Sequence, residues 1–179
     1  MNTNLSILAM ASLIALPNAA IAGDGDTMHD VSLTISPVHL ILPVVELQGE
    51  FKLNPKMSAS AILGFGKVSD EDNIINATVF ELGGQFSYYL IGDFDHGMQL
   101  GAEVLFVHLS DTEATPGGVF GGGLSVGPYV GYKIAADFGL TFAAQLGVAF
   151  LAVRASTDNS SASEERIAPL LNINLGWSF

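Results

Sequence analysis

His108 and Ser110 are the two residues whose types and spacing most suggest catalysis, in the segment His108-Leu109-Ser110. Residues two apart on a strand lie on the same face, so a histidine base could there activate a serine nucleophile. Such a pair needs an acid to orient the histidine. Residues 119–133 contain no Asp or Glu, and Asp111 or Glu113 could serve only if the loop folds back. We therefore expect no catalytic site and interpret the pair as polar residues at a sheet rim.

A second set of chemically active residues consists of charged side chains within apolar strands. Because these charged residues occupy alternate strand positions, we predict that they share one interior. They are Glu46, Glu50, Lys52, Glu81, Glu103 and Lys133. Charges removed from water must be paired, hydrogen-bonded or neutralised. The prediction is a structural polar plug, and the alternative is a gated or proton-conducting interior. His29, His39 and His96 lack ligand spacing, so neither a metal site nor another cofactor is predicted.

The C-terminal segment 167–179 indicates which structure must hold these residues. Every second residue back from the end is apolar, and the residues between are small or polar. Period-2 alternation predicts a strand with one apolar face. Trp177 and Phe179 place wide aromatic rings at the chain end, where a strand facing lipid needs an anchor.

With this ending the chain resembles the small outer-membrane β-barrels of Gram-negative bacteria, the OmpA-barrel, OmpX and opacity-protein type. The resemblance implies an eight-stranded transmembrane barrel whose terminal Phe179 is read by the barrel-assembly machinery. Asn174 stands where these families often have Gly. The His108-x-Ser110 segment also resembles the lipid A 3-O-deacylases, but the Glu that those enzymes carry on the following strand has no counterpart here.

Composition narrows the class of protein. The chain has 179 residues, enough for one domain, and is 49% hydrophobic, yet no apolar run reaches the length of a membrane-spanning helix. The net charge of −12 argues against a nucleic-acid partner. The absence of cysteine excludes a disulfide scaffold, a thiolate metal site and a lipid anchor on Cys.

The N-terminal residues 1–22 predict a cleaved signal peptide. Residues 5–16 are apolar but too short to span a bilayer, Pro17 ends the run, and Ala20-Ile21-Ala22 forms a small-x-small cleavage site. A buried core helix is the alternative. The mature domain would then be residues 23–179.

Alternation through the mature chain predicts eight antiparallel strands and an all-β, up-and-down barrel. The predicted strands are 31–36, 44–53, 57–66, 77–90, 98–108, 122–133, 139–153 and 167–179. Pro37 and Pro43 indicate a bulge or rim turn between the first two strands. Short turns are predicted at 54–56, 91–97 and 134–138, and longer loops at 68–76, 110–121 and 155–165.

Short periplasmic turns and long external loops predict that both termini are periplasmic. Aromatic residues fall at both strand ends, as two girdles. They are Phe51, Tyr88, Tyr132, Phe142, Trp177 and Phe179 at one end and Phe65, Phe80, Phe106 and Phe150 at the other. Inward glycines are expected to make room for Tyr89 and Tyr129. A soluble β-sandwich or lipocalin-like barrel, the alternative, would need polar outer faces.

The predicted protein is a non-enzymatic outer-membrane barrel that serves envelope integrity or surface interaction through acidic loops. Its expected partners are outer-membrane lipid, lipopolysaccharide and the assembly machinery, and it is expected to be a monomer. The alternatives are a lipid A-modifying enzyme and a narrow conduit for small solutes or ions.

Overall fold

The computed structural model describes residues 27–38, 44–69, 76–111, 120–157 and 160–179. These residues form an all-β fold of eight strands. The strands are β1 (Val31–Ile35), β2 (Val44–Asn54), β3 (Met57–Ser69), β4 (Asn76–Gly92), β5 (His96–Asp111), β6 (Phe120–Ala135), β7 (Leu140–Thr157) and β8 (Ser160–Ser178). The predicted signal peptide, 1–22, lies outside the described residues.

Each strand pairs antiparallel with the next along the chain, and β8 pairs with β1 to close the ring. The eight-stranded, up-and-down arrangement predicted from alternation is confirmed. Within the described ranges, no helix is long and apolar enough to span a membrane.

The seam between β1 and β8 is short. Pairing there covers the four positions from Ser32–Ser178 to Ile35–Leu175. By contrast, β7 and β8 pair continuously from Leu140–Trp177 to Thr157–Ser160. Within the described residues β1 has 5 residues whereas β8 has 19, and residues 39–43 lie outside them.

The side chains divide cleanly between the two faces of the ring. Along β7, Leu146 is 60% exposed on the outer face, while its neighbour Gln145 is 4% exposed inside. The same alternation holds on the other strands, with exposed apolar residues outside and buried polar ones within. Period-2 patterning therefore predicted the facing of the side chains correctly.

Two ends of the ring can be distinguished. The turn end carries the connections 55–56, 93–95 and 136–139, together with Asp30 and Phe179. At this end Asp30 N and Val31 N donate to the Phe179 carbonyl oxygen, over 2.7 and 3.2 Å. The opposite end is here named the hairpin end. The halves of β7 and β8 that lie farther from the turn end belong to it.

The predicted strand bounds were too short at the hairpin end. The predicted loop 155–165 is wrong, because β7 and β8 continue to pair as far as Thr157–Ser160. Likewise Val68 and Ser69 pair with Ala77 and Asn76, inside the predicted loop 68–76. The predicted loop 110–121 also loses both ends to β5 and β6. Polar residues extend a hydrogen-bonded ladder as well as apolar ones do, so the ladder outlasts the hydrophobic pattern.

The region around the two prolines is described only in part. β1 ends at Ile35, and residues 37–38 form a turn, as a rim turn at Pro37 predicted. Pro43 and the rest of 39–43, with His39, lie outside the described residues.

Candidate functional site

The interior holds an ion pair at the turn end. Lys133, on β6, is fully buried, and its Nζ donates to Glu50 Oε2 over 2.7 Å and to Ser32 Oγ over 2.8 Å. The other Glu50 oxygen accepts hydrogen bonds from Ser58 at 2.5 Å and from the Tyr89 hydroxyl at 2.9 Å. Both charges are therefore satisfied by partners, as buried charges must be.

Phe94 fills the turn end of the ring next to the Glu50–Lys133 pair. It belongs to the turn 93–95, yet its side chain has no exposed surface. Its amide donates to the Pro55 carbonyl over 3.0 Å, while Ala135 N donates to the Asp95 carbonyl over 2.7 Å. These bonds hold the turn across the ring opening. The ring of Phe94 lies 3.4 Å from Lys133 Nζ, centroid to atom, in a cation–π contact.

The chain segment before β1 covers the same end. His29 is buried, and its Nδ1 lies 2.9 Å from Asp95 Oδ1. Met28 N donates to the second oxygen of the same carboxylate, Oδ2, over 2.5 Å. His29 thus has a structural contact, and the described residues contain no group of three or more potential metal ligands.

Above the ion pair, side-chain amides cross the interior in one connected layer. Gln48 donates to Gln85 over 2.8 Å, and Gln85 donates to Glu103 Oε2 over 2.7 Å. Asn172, on β8, donates to the same Glu103 oxygen over 2.8 Å, and Asn174 donates to Gln48 over 2.7 Å. The layer joins β2, β4, β5 and β8, so polar side chains fill the middle of the ring.

Toward the hairpin end, apolar side chains join acidic ones in the interior. The inward positions there include the buried Val44, Ile62, Val79 and Leu170. Glu46 and Glu81 face this region from β2 and β4, on either side of Gly64 in β3. A Cβ at Gly64 would lie 2.3 Å from Glu81 Oε2, so this glycine accommodates the carboxylate.

Five of the six charged residues predicted to share the interior are buried there, and Lys52 is the exception. Hydrogen bonds that run through Tyr89, Gln99, Gln145 and Gln85 connect Glu50 to Glu103. Glu50 meets Lys133, and Glu103 belongs to the amide layer. Lys52 is only half-buried, at the turn end, where it pairs with the exposed Asp30 and donates to Thr27 over 2.5 Å. A strand sequence predicts which face a charge occupies but not its level relative to the other strands.

Two interior aromatics depend on glycine, as the sequence indicated. Tyr129 is buried, and a Cβ at Gly101 would lie 2.4 Å from its Cζ. Tyr89 packs instead against Gly97, where a Cβ would lie 2.7 Å from its Cδ1. Gly97 was predicted only as part of a turn.

His108 and Ser110 lie on the outer wall of β5. His108 is exposed and stands between Phe80 of β4 and Gly122 of β6 in the strand register. Ser110 lies opposite Thr78. Neither Phe80 nor Gly122 can orient an imidazole as an acid does, and residue 113 lies outside the described ranges. The strand partners of His108 therefore supply no acid. Asp111, the other acid considered, lies on β5 opposite Ala77.

Phe94 is the residue that sequence reasoning missed. It lies in the predicted short turn 91–97, where alternation ends and no longer indicates which way a side chain points. An aromatic residue between Asp93 and Asp95 was the available signal.

Trp177 and Phe179, the predicted anchors, are 43% and 63% exposed on the outer side of the turn end. Trp177 stacks edge-on against Phe138, with ring centroids 5.8 Å apart.

No protein-family model matches this chain, and no curated protein or solved structure matches it either.

Proposed function

We propose that this protein is a non-enzymatic, non-conducting β-barrel of the bacterial outer membrane that supports envelope integrity and presents the β7–β8 hairpin at the cell surface. One observation carries the proposal: large apolar side chains cover the outside of the whole ring. Leu47, Leu82, Val104, Val130 and Leu146, on five different strands, are each at least 46% exposed.

The distribution of polarity supports a lipid-facing wall. Soluble monomers rarely expose contiguous apolar patches beyond a few hundred Å². Here apolar residues surround the ring, while Gln, Glu, Lys and Asn side chains are buried inside it. Transmembrane strands show this arrangement, with apolar residues toward lipid and polar residues inward.

The two ends of the ring support an orientation. Short turns characterise the periplasmic side of such barrels and longer extensions the outer side. The turn end, with both termini, would accordingly face the periplasm. The hairpin end would face outward and meet lipopolysaccharide, and the barrel-assembly machinery would read Phe179 during insertion. We expect a monomer, because β8 pairs with β1 and the ring closes on itself.

The two alternatives have less support. A conduit would need an open path, whereas Phe94 and the Glu50–Lys133 pair occupy the turn end and amide side chains cross the middle. A deacylase would need an acid beside His108, whose described flanking residues are Phe80 and Gly122. Both alternative functions therefore have less support than a closed structural barrel.

Fractionation and gel mobility test the proposal together. The mature protein, beginning at Gly23, should co-sediment with outer membranes and migrate faster unboiled than boiled. Planar bilayers containing the purified protein should show no steady conductance above that of protein-free bilayers. A chain found in the cytosol with one gel mobility would refute the location, and steady channel currents would refute the closed interior.

A further inference from the structure

A shallow groove crosses the outer wall of β5 to β8 near the hairpin end. One part encloses about 500 Å³ and is lined by Leu124, Phe150, Ala152 and Ile167 among others. A second part, of about 350 Å³, is lined by Phe106, Gly122, Leu124, Ala152 and Arg154 among others. Leu124 and Ala152 line both parts, so the two parts lie side by side on the wall.

Small residues create this groove. Ala152 lies between Leu124 and Glu165 in the strand register, and Gly122 lies between His108 and Arg154. Their neighbours in the wall, Phe106 and Phe150, are large and exposed. A largely apolar depression therefore lies between the aromatic rings and borders a basic rim, with Glu165 and Arg166 also lining its first part.

The basic rim consists of His108 and Arg154, separated only by Gly122. Since Gly122 has no side chain, nothing stands between them in that row. Two strand spacings separate their backbones by about 10 Å. Both side chains are exposed, and Arg154 forms no ion pair with any residue that the structure describes. A phosphate group could accept hydrogen bonds from both.

Basic residues are few in this acidic chain, so a rim with two basic side chains is unusual. The chain has 18 acidic and 6 basic residues, and both of its arginines lie on β7 and β8 beside the groove. Arg166 is held by Glu164, with Nε 2.8 Å from Oε1. Arg154 is therefore the arginine available to an external anion.

We propose that this groove, here named the Arg154 groove, binds one phosphate-bearing lipid of the outer leaflet. The acyl chain would lie along Leu124, Ala152 and Phe150, and the phosphate would sit over Gly122 between His108 and Arg154. This inference rests on the proposed function, since it places the hairpin end at the outer leaflet. In the strand register Glu165 lies one row closer to the turn end than Arg154. Its negative charge would repel the phosphate, so removing that charge should strengthen lipid binding.

The test measures bound lipid by native mass spectrometry on protein purified in a non-ionic detergent. The probes are bisphosphorylated lipid A, its dephosphorylated form and phosphatidylethanolamine. Wild-type protein should prefer the bisphosphorylated form. Arg154→Gln should weaken that binding about tenfold, the value of roughly one charged hydrogen bond. Ala152→Phe, which fills the groove without changing charge, should weaken binding of all three lipids.

Two further variants sharpen the result. Lys67→Gln is the matched control, because Lys67 is an exposed cation on the outer face of β3, away from the groove. It should leave binding unchanged. Glu165→Gln should strengthen binding of the bisphosphorylated lipid by removing a repelling charge.

Equal binding by wild-type, Arg154→Gln and Lys67→Gln proteins would overturn the proposal, as would equal binding of phosphorylated and dephosphorylated lipid A. Each variant is first checked for the fast-migrating unboiled form. If the wild-type chain folds in bilayers but shows none of these differences, only the lipid site fails. If it never reaches that form in bilayers, the proposed function fails.

Discussion

Lys133 Nζ lies 3.4 Å from the centroid of the Phe94 ring, inside the turn end of the strand ring. The same ammonium donates to Glu50 and to Ser32. A residue from a turn and residues from two strands, β1 and β2, therefore surround one buried cation. The arrangement makes the pair structural, because each charge depends on the other to remain in the interior.

Lys133→Met tests this dependence. The substitution leaves the Glu50 carboxylate buried with only neutral donors, Ser58 and Tyr89. Loss of one partner of a buried pair costs about 3–5 kcal/mol. We expect a fall of that size in the free energy of unfolding, measured by urea titration in lipid vesicles through Trp177 fluorescence.

The matched control is Lys52→Met. Lys52 pairs with Asp30, whose side chain is 77% exposed, so this loss should be below about 1 kcal/mol. The double substitution of Lys133→Met with Glu50→Gln should recover part of the lost stability. Equal losses at Lys133 and Lys52 would contradict a buried, interdependent pair.

Phe94→Ala tests the floor of the ring. Truncating a fully buried phenylalanine typically costs about 3–5 kcal/mol, and this one also contacts Tyr89 with ring centroids 6.3 Å apart. Phe138→Ala is the comparison, since Phe138 is a turn residue that is 66% exposed. Its loss should be no more than about 1.5 kcal/mol, the value of its edge-on contact with Trp177. Vesicle unfolding measures both, and a larger effect at Phe138 would argue against an internal floor.

Leu146→Arg tests whether lipid or water surrounds the outer wall. Leu146 lies midway along β7, and an arginine at a bilayer midplane costs about 2–4 kcal/mol. Leu53→Arg, at the turn end of β2, should cost only about 0–1 kcal/mol. Leu146 and Leu53 are 60% and 59% exposed, so only depth distinguishes them. Tolerance of arginine at both sites would indicate that water, not lipid, covers the wall.

Gly101→Ala tests the packing of Tyr129. The added Cβ would lie 2.4 Å from Tyr129 Cζ and 2.5 Å from the Phe86 carbonyl oxygen. Overpacking of this kind costs about 1–3 kcal/mol. Gly49→Ala, whose Cβ would lie 3.5 Å from the nearest atom, Leu33 Cδ2, should change stability by less than about 0.5 kcal/mol. If thermal unfolding shows the two variants alike, the close packing at Gly101 is wrong.

Side-chain facing was predictable from sequence because it is a local property of a strand. The opposite environments of Gln145 and Leu146 follow from a period of two residues, whatever the strand pairs with. The extent of β7 and β8 was not predictable in this way. Hydrophobic alternation ends near residue 154, whereas the hydrogen-bonded ladder continues through serines to Thr157–Ser160.

Contacts across the interior lay beyond sequence reasoning for a different reason. The Lys133–Glu50 pair joins residues 83 positions apart, on strands that are not neighbours in the ring. Its formation depends on the stagger of all the strands between them. Phe94 presents the same difficulty, because a turn residue has no periodic pattern to reveal that it points inward.

The short seam between β1 and β8 has a consequence for the order of folding. Seven of the eight pairings join consecutive strands, but the seam joins Ser32 to Ser178, 146 positions apart. Closing so long a chain costs more entropy than forming a hairpin, and the described part of the seam, which ends at Ile35, supplies four register pairs against that cost. We therefore expect the seven hairpins to form before the ring closes at β1, because closing the ring carries the largest loop entropy.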